Sequence, residues 1–287
     1  MIIKWAGGKK WLFPICGSSV VQGEINNYIE PFFGGGSFFF EIRAKESVQG
    51  NLPAKVTKGH LSDVNPRLIK ALKELKKNPS ELYKKAKALF DSHTENNYYK
   101  IRDEFNKDNE PYKFFYLNKT CFNGIYRENQ KGEFNVPAGK DQKSFPSEEV
   151  FLEHSKYLQN FSLKCCDFEK TLDNAEKEDF IFLDPPYVDR DDYDSDSYKT
   201  FRKYNAEEFS DKDLKRMSIK ANELSSKCKI LITNHFTPYV QKLFLQKDGW
   251  NHYQKEKTTF ISGKPKGRVK AKEIIISNFP IQKLEEK

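Results

Sequence analysis

The run Phe180-Ile181-Phe182-Leu183 breaks off into Asp184-Pro185-Pro186-Tyr187, and this junction constrains the fold more than any other stretch of the chain. Four large apolar residues in succession suit a buried strand, and two consecutive prolines cannot extend its ladder because they lack amide hydrogens. The strand therefore delivers an acidic residue into a stiffened loop closed by Tyr187, whose ring is expected to be exposed. Short β-branched or aromatic runs recur at wide spacing: Asn27 to Glu30, Gly59 to Ser62, Ser162 to Cys165, Lys229 to Thr233 and Glu273 to Ser277. Helical patterns separate them, which predicts an α/β fold with a mostly parallel sheet and crossover helices. Lys257 to Ile261 supplies a further strand, and a hairpin with Glu273 to Ser277 would make that edge antiparallel.

Between Asn65 and Asn160 the character changes. Leu68, Leu72 and Leu75 repeat at helical spacing, as do Leu82 to Phe90 and Tyr112 to Leu117, so a helical insertion between strands is expected. Gly124, Gly132 and Gly139 then interrupt a stretch rich in Asn, Arg and Lys, the pattern of an ordered loop. The acidic run from Asp189 to Asp196 predicts a mobile loop.

With 287 residues the chain can bury a large core despite a mean hydropathy of -0.78. A formal charge of +8 and a pI near 9.0 favour a polyanionic partner, since each Lys or Arg near a phosphate releases condensed counterions. Five cysteines without Cys-x-x-Cys spacing argue against a disulfide framework or zinc site and fit a reducing compartment. No apolar leader or bilayer-length span is visible, so the protein reads as cytoplasmic, without membrane or metal.

Three further segments carry chemistry. Glu30-Pro31-Phe32-Phe33-Gly34-Gly35-Gly36-Ser37 sits between a predicted strand and an apolar helix, where missing side chains let backbone approach a ligand closely. It matches neither a phosphate loop nor Gly-x-Gly-x-x-Gly. Asp63 ends the next strand, where its carboxylate suits either ribose hydroxyls or the cap of the following helix. In Lys4-Trp5-Ala6-Gly7-Gly8-Lys9 a glycine turn sets a flat apolar ring beside a cation. The segment Asn118 to Lys140 interleaves cations, amides and aromatics: Arg127 can bond guanine bidentately, Asn123 a base edge, Ile125 a thymine methyl, and Phe122 can wedge between base steps. A solvated loop has the same composition. No Pro-Cys pair exists, which excludes the nucleophile of a pyrimidine C5 methyltransferase.

In this order, Lys4 to Lys9, Glu30 to Ser37, Asp63, Asn123-Gly124-Ile125-Tyr126-Arg127 with Gly132 to Gly139, Asp184 to Tyr187 and Ile232 to His235 resemble the DNA adenine-N6 methyltransferases of the Dam family. The resemblance implies a Rossmann-like methyltransferase domain (residues 1–64 and 156–287) interrupted by a helical target-recognition domain with a β-hairpin (65–155). It implies a monomer that binds S-adenosylmethionine through Trp5, Lys9, Glu30, Phe32, Gly34, Gly36, Ser37, Asp63, Asp167, Phe168 and Asp184. Asp184, the Pro185 carbonyl and Tyr187 would then handle an adenine flipped from duplex DNA, at the sequence GATC in most of the family. Lys4, Lys119, Phe122, Asn123, Ile125, Arg127 and Asn135 would contact DNA, joined by Lys264 and Arg268 from a basic loop near the C-terminus. An RNA adenine methyltransferase and an inactive DNA-binding module are the alternatives.

Overall fold

The computed structural model describes residues 2–20, 25–49, 56–140, 144–187, 209–244, 248–260 and 268–281, with backbone alone for 47–49, 256–260 and 268–271. The expected acidic loop at 189–196 and Lys264 lie outside these residues, and of Arg268 only the backbone is described.

Seven strands form one sheet: β1 (Tyr28–Glu30), β2 (Gly59–Asp63), β3 (Phe161–Cys165), β4 (Phe180–Leu183), β5 (Lys229–His235), β6 (Asn251–Phe260) and β7 (Arg268–Ser277). Their spatial order is β3-β2-β1-β4-β5-β7-β6. The first five pair in parallel, and β7 pairs antiparallel with both β5 and β6. This is the Rossmann-like sheet expected from the sequence, antiparallel at one edge. All four residues of β4 are buried, because helices cover both faces. Phe180 and Phe182 join Tyr28, Leu231 and Ile275 on one face, against α1 (Phe13–Val20) and α2 (Ser37–Gln49). Ile181 and Leu183 join Ile29, Ile230, Ile232, Ile274 and Ile276 on the other. There they meet α8 (Phe168–Leu172), α9 (Asp211–Leu224) and α10 (Pro238–Phe244).

Between β2 and β3 the chain leaves the sheet and builds α3 (Pro66–Lys77), α4 (Pro79–Asp91), α5 (Glu95–Asp108), α6 (Pro111–Thr120) and α7 (Glu148–Leu158). Proline at the first turn of α3, α4 and α6 starts a helix without wasting an amide, and the Asn65 side chain caps α3 by accepting from the Leu68 amide at 2.9 Å. Burial of Leu68, Leu72, Leu75, Phe114, Phe115 and Phe151 unites the insertion with the first sheet face in one continuous core. Helix α7 runs across the boundary expected at residue 155.

The strand order reverses between β1 and β4, the neighbours from which the sheet grows in opposite directions. Open α/β sheets bind ligands in the crevice at the carboxyl ends of such a pair. Glu30 ends β1 and Asp184 follows β4 at that crevice.

Candidate active site

Asp184 lies half-buried where the proline pair stops β4. Its Oδ1 accepts a 2.7 Å hydrogen bond from Thr233 Oγ1 on β5 and forms a 2.9 Å ion pair with Lys9 Nζ. Lys9 is 2% exposed, and its ammonium also donates to the Gly7 carbonyl at 2.7 Å. Burial alone would lower its pKa, but Asp184, Tyr187 and Glu273 outweigh that penalty and hold it above the ordinary lysine value. The Lys9 amide donates to Ser37 Oγ at 2.6 Å, tying the N-terminal turn to the start of α2.

Tyr187 differs from the expectation of an exposed ring. Its ring packs edge-on against His235 with centroids 4.5 Å apart, Lys9 Nζ lies 4.9 Å from the ring centre, and the hydroxyl is buried in the neighbourhood of that ammonium. His235 stands opposite Glu273 in the β5–β7 register, and Glu273 is buried.

The glycine loop follows β1. Glu30 is buried and accepts from Tyr28 Oη at 2.7 Å; burial pushes its pKa well above the usual carboxylate range despite that hydrogen bond. Gly34 and Gly36 adopt φ of 51° and 63°, conformations that suit glycine. The Gly34 amide donates to Asp63 Oδ2 at 2.9 Å, while Asp63 Oδ1 accepts from the Asn65 amide at 2.9 Å. Of the two readings left open for Asp63, the cap belongs instead to Asn65, two residues on. A Cβ on Gly34 would sit 2.7 Å from Trp5 Cδ1, so the indole lies directly on the loop. Trp5 in turn stacks on Tyr126, with centroids 5.0 Å apart. Along the same edge Val64 is 54% exposed and offers an apolar surface beside Asp63.

Asp167 and Phe168 are placed as a helix cap and a core ring. Asp167 Oδ1 accepts from the Glu169 amide at 3.0 Å, and Phe168, 3% exposed, stacks on Phe32 at 5.4 Å.

The segment after α6 folds back as an irregular hairpin. Bridges Cys121–Ala138 and Glu128–Phe134 close it, and the Asn135 amide donates to the Arg127 carbonyl at 3.2 Å. Phe122 is 45% exposed, Asn123 and Arg127 are exposed, and Ile125 and Asn135 are half-buried. Arg127 Nε donates to Asn135 Oδ1 at 2.8 Å, which holds the guanidinium in one orientation. Asn118 exchanges two 2.8 Å hydrogen bonds with the Lys4 backbone, and a Cβ on Gly124 would meet Lys4 Cδ at 2.2 Å, so Lys4 lies over the hairpin's first turn. Lys119 departs from the picture of a surface cation. It is buried, and burial together with Lys4 lowers its pKa to about 8.

Sequence reasoning overlooked the contributions of Thr233, Glu273 and Asn118. Thr233 had a signal, since it lies two residues beyond Leu231 on the face that carries Phe182. So had Glu273, an ionisable residue opening an isoleucine run. Asn118 had none, because its role depends on a contact with Lys4 across the fold.

The profile of D12 class N6 adenine-specific DNA methyltransferases matches residues 5–261. This chain belongs to that family. Among relatives of the D12-class chain, the Type II methyltransferase M.MjaIII of Methanocaldococcus jannaschii is 32% identical over 255 residues, covering 82% of this chain and 83% of the relative. The DNA adenine methylase of Haemophilus influenzae is 30% identical over 282 residues, 95% of this chain and 91% of that protein. The DNA N-6-adenine-methyltransferase of Escherichia phage P1 is 32% identical over 256 residues, 85% of this chain and 31% of the longer phage protein. Among the described residues of this D12-class chain, no helix is long and apolar enough to cross a membrane.

Proposed function

We propose that the protein transfers a methyl group from S-adenosylmethionine to N6 of an adenine flipped out of duplex DNA, at GATC sites. The observation that carries this reading is the position of Asp184. Its Oδ1 is held by Lys9 and Thr233, Oδ2 takes no hydrogen bond among the described residues, and the glycine loop lies across the same crevice. The residues present fit the cofactor. Gly34, Gly35 and Gly36 leave no room for a Cβ, which would meet Trp5 or Phe33, so the loop offers bare backbone at the sheet edge. The Asp63 carboxylate, oriented by the Gly34 and Asn65 amides, stands beside it at the end of β2, where ribose hydroxyls would lie. Trp5, Lys9, Glu30, Phe32, Ser37, Asp167 and Phe168 complete the surroundings.

S-adenosylmethionine, when bound, supplies a methyl group activated by a sulfonium. Adenine's amine is a weak nucleophile because its lone pair is delocalised into the ring. Asp184 Oδ2 and the Pro185 carbonyl accept its two N–H bonds, favour a pyramidal nitrogen, and stabilise the positive charge that develops there. The Lys9 ion pair and the Thr233 hydroxyl keep Asp184 fixed, so no reorganisation is needed at the moment of reaction. Tyr187 lines the pocket for the extruded base, offsetting part of its unstacking cost. Residues 65–155 act as the target-recognition domain of a monomer, with Phe122, Asn123, Ile125, Arg127 and Asn135 on base edges, Lys4 beside them, and Lys264 and Arg268 adding charge toward the backbone, while the buried Lys119 is withdrawn from the DNA contacts.

The test is transfer of tritiated methyl into two duplexes that differ only in the adenine of GATC, with wild type and Asp184→Ala. Label is expected in the intact site alone and is lost in Asp184→Ala, which still binds S-adenosylmethionine. Turnover by Asp184→Ala would overturn the mechanism, equal labelling of both duplexes the specificity, and labelling of RNA alone the substrate.

A further inference from the structure

Arg216, on α9, gathers carboxylates from the start of α8 and from the first turn of its own helix. Its Nη2 lies 3.0 Å from Asp167 Oδ1 and 2.6 Å from Glu169 Oε2, its Nε donates to Glu169 Oε1 at 3.2 Å, and its Nη1 donates to Asp213 Oδ1 at 2.8 Å. The guanidinium also lies 4.9 Å from the centre of the Phe168 ring. One planar fork therefore fixes both residues of the Asp167-Phe168 pair and anchors them to the first turn of α9. A lysine could not make these contacts together, because its ammonium is a single point of charge.

The consequence lies in which oxygen is taken. Asp167 Oδ1 receives the Glu169 amide and the Arg216 guanidinium, and Oδ2 takes no hydrogen bond among the described residues. With one oxygen pinned at two points, the carboxylate plane is set and the second oxygen keeps its capacity to accept.

We propose that Arg216 is a positioning residue for recognition of the adenine amine of S-adenosylmethionine, holding Asp167 so that Oδ2 accepts one N–H of that amine. This rests on the proposed cofactor site, and it adds a residue that touches neither cofactor nor DNA. The plain alternative is a surface ion-pair cluster that only joins α8 to α9. Arg216 and Asp167 are 40% and 39% exposed, and exposed pairs contribute little to stability, so truncation leaves a folded protein.

The experiment measures affinity of the full chain for S-adenosylhomocysteine and for its 6-oxo counterpart, S-inosylhomocysteine, by titration calorimetry. The 6-oxo base lacks the amine and presents an acceptor to Asp167. Wild type should prefer the adenosyl ligand by roughly ten- to a hundred-fold, the range for a hydrogen bond to a charged group. Arg216→Ala should reduce this preference to a few-fold with little change toward the inosyl ligand. Its KM for S-adenosylmethionine should rise while kcat at saturation and KM for DNA hold. Arg216→Lys should fall between, and it carries the test if the alanine variant does not fold. An unchanged preference in both variants, or equal loss of both ligands, would overturn the role of Arg216 while leaving the cofactor site intact. A wild type that does not discriminate would remove Asp167 from amine recognition and the proposal with it.

Discussion

Replacing Lys9 by Met keeps much of its volume and removes the ammonium that faces Asp184. At 2.9 Å and an effective dielectric constant of about 20, the attraction between the two is about 6 kcal/mol. Asp184 retains the Thr233 hydrogen bond and a side chain 17% exposed, so water screens part of this and the expected coupling is about 3 kcal/mol. The assay is a double-mutant cycle in urea with Lys9→Met, Asp184→Asn and the pair. Each single variant should lose about 1 M in midpoint, taking m as about 3 kcal/mol/M for a chain of this size, and the double variant should recover most of the loss. Because Lys9 is raised above 10.5, the pair's contribution is present in full below that pH and is lost only as pH rises past it. The cycle should therefore give the same coupling at pH 7 and pH 9. A coupling under about 1 kcal/mol, the range of exposed pairs, would refute the picture of a buried ion pair holding Asp184.

Gly34→Ala forces φ of 51° on a residue with a Cβ and sets that atom 2.7 Å from Trp5, so affinity for S-adenosylmethionine should fall by roughly tenfold while DNA binding persists. Gly124→Ala, with φ of 66° and a Cβ against Lys4, should cost about 1 to 2 kcal/mol and weaken DNA binding, with cofactor affinity unchanged; calorimetry on both ligands separates the two glycines. Lys119, depressed to about 8 against 10.5 unfolded, destabilises the fold at neutral pH, and stability recovers as pH rises between those values. Lys119→Met should therefore exceed wild type by up to about 3 kcal/mol at pH 7, and the gap should close above pH 10.5; equal thermal midpoints at pH 7 would contradict this.

The parallel strands were legible because they are short and carry apolar runs bounded by Gly, Pro or a polar residue, as β4 shows most plainly, whereas β6 and β7 span ten residues each and only their less polar ends, from Lys257 and from Glu273, were read. The sheet's antiparallel edge followed from two late runs with no helix-length segment between them. Contacts across the sequence were not legible. Nothing local marks Lys9 as the partner of Asp184, since the pairing depends on the N-terminal turn lying under β4. Lys119 reads as a surface cation in Asn118-Lys119-Thr120, yet α6 is enclosed on nearly all sides by the insertion and the N-terminal segment. Asp63 and Asn65 are both good capping residues, and the sheet chose between them: Asp63 still belongs to β2 and turns its carboxylate to the Gly34 amide. Tyr187 was misjudged for a related reason, because the polar residues after it say nothing about the His235 ring that shelters it.

The double hydrogen bond between Lys4 and Asn118 spans 114 residues of chain, and Lys9 waits longer still, for an aspartate well past the midpoint. During synthesis the N-terminal turn therefore emerges without the partners that seat it, and loop-closure entropy keeps it unplaced until they arrive. A chain released before β4 would hold a lysine without its counter-charge, and one released before β5 would hold the pair without the threonine that fixes Asp184. Assembly of the proposed reaction centre is thereby a late event in the life of the nascent chain, so partial translation products should be inert.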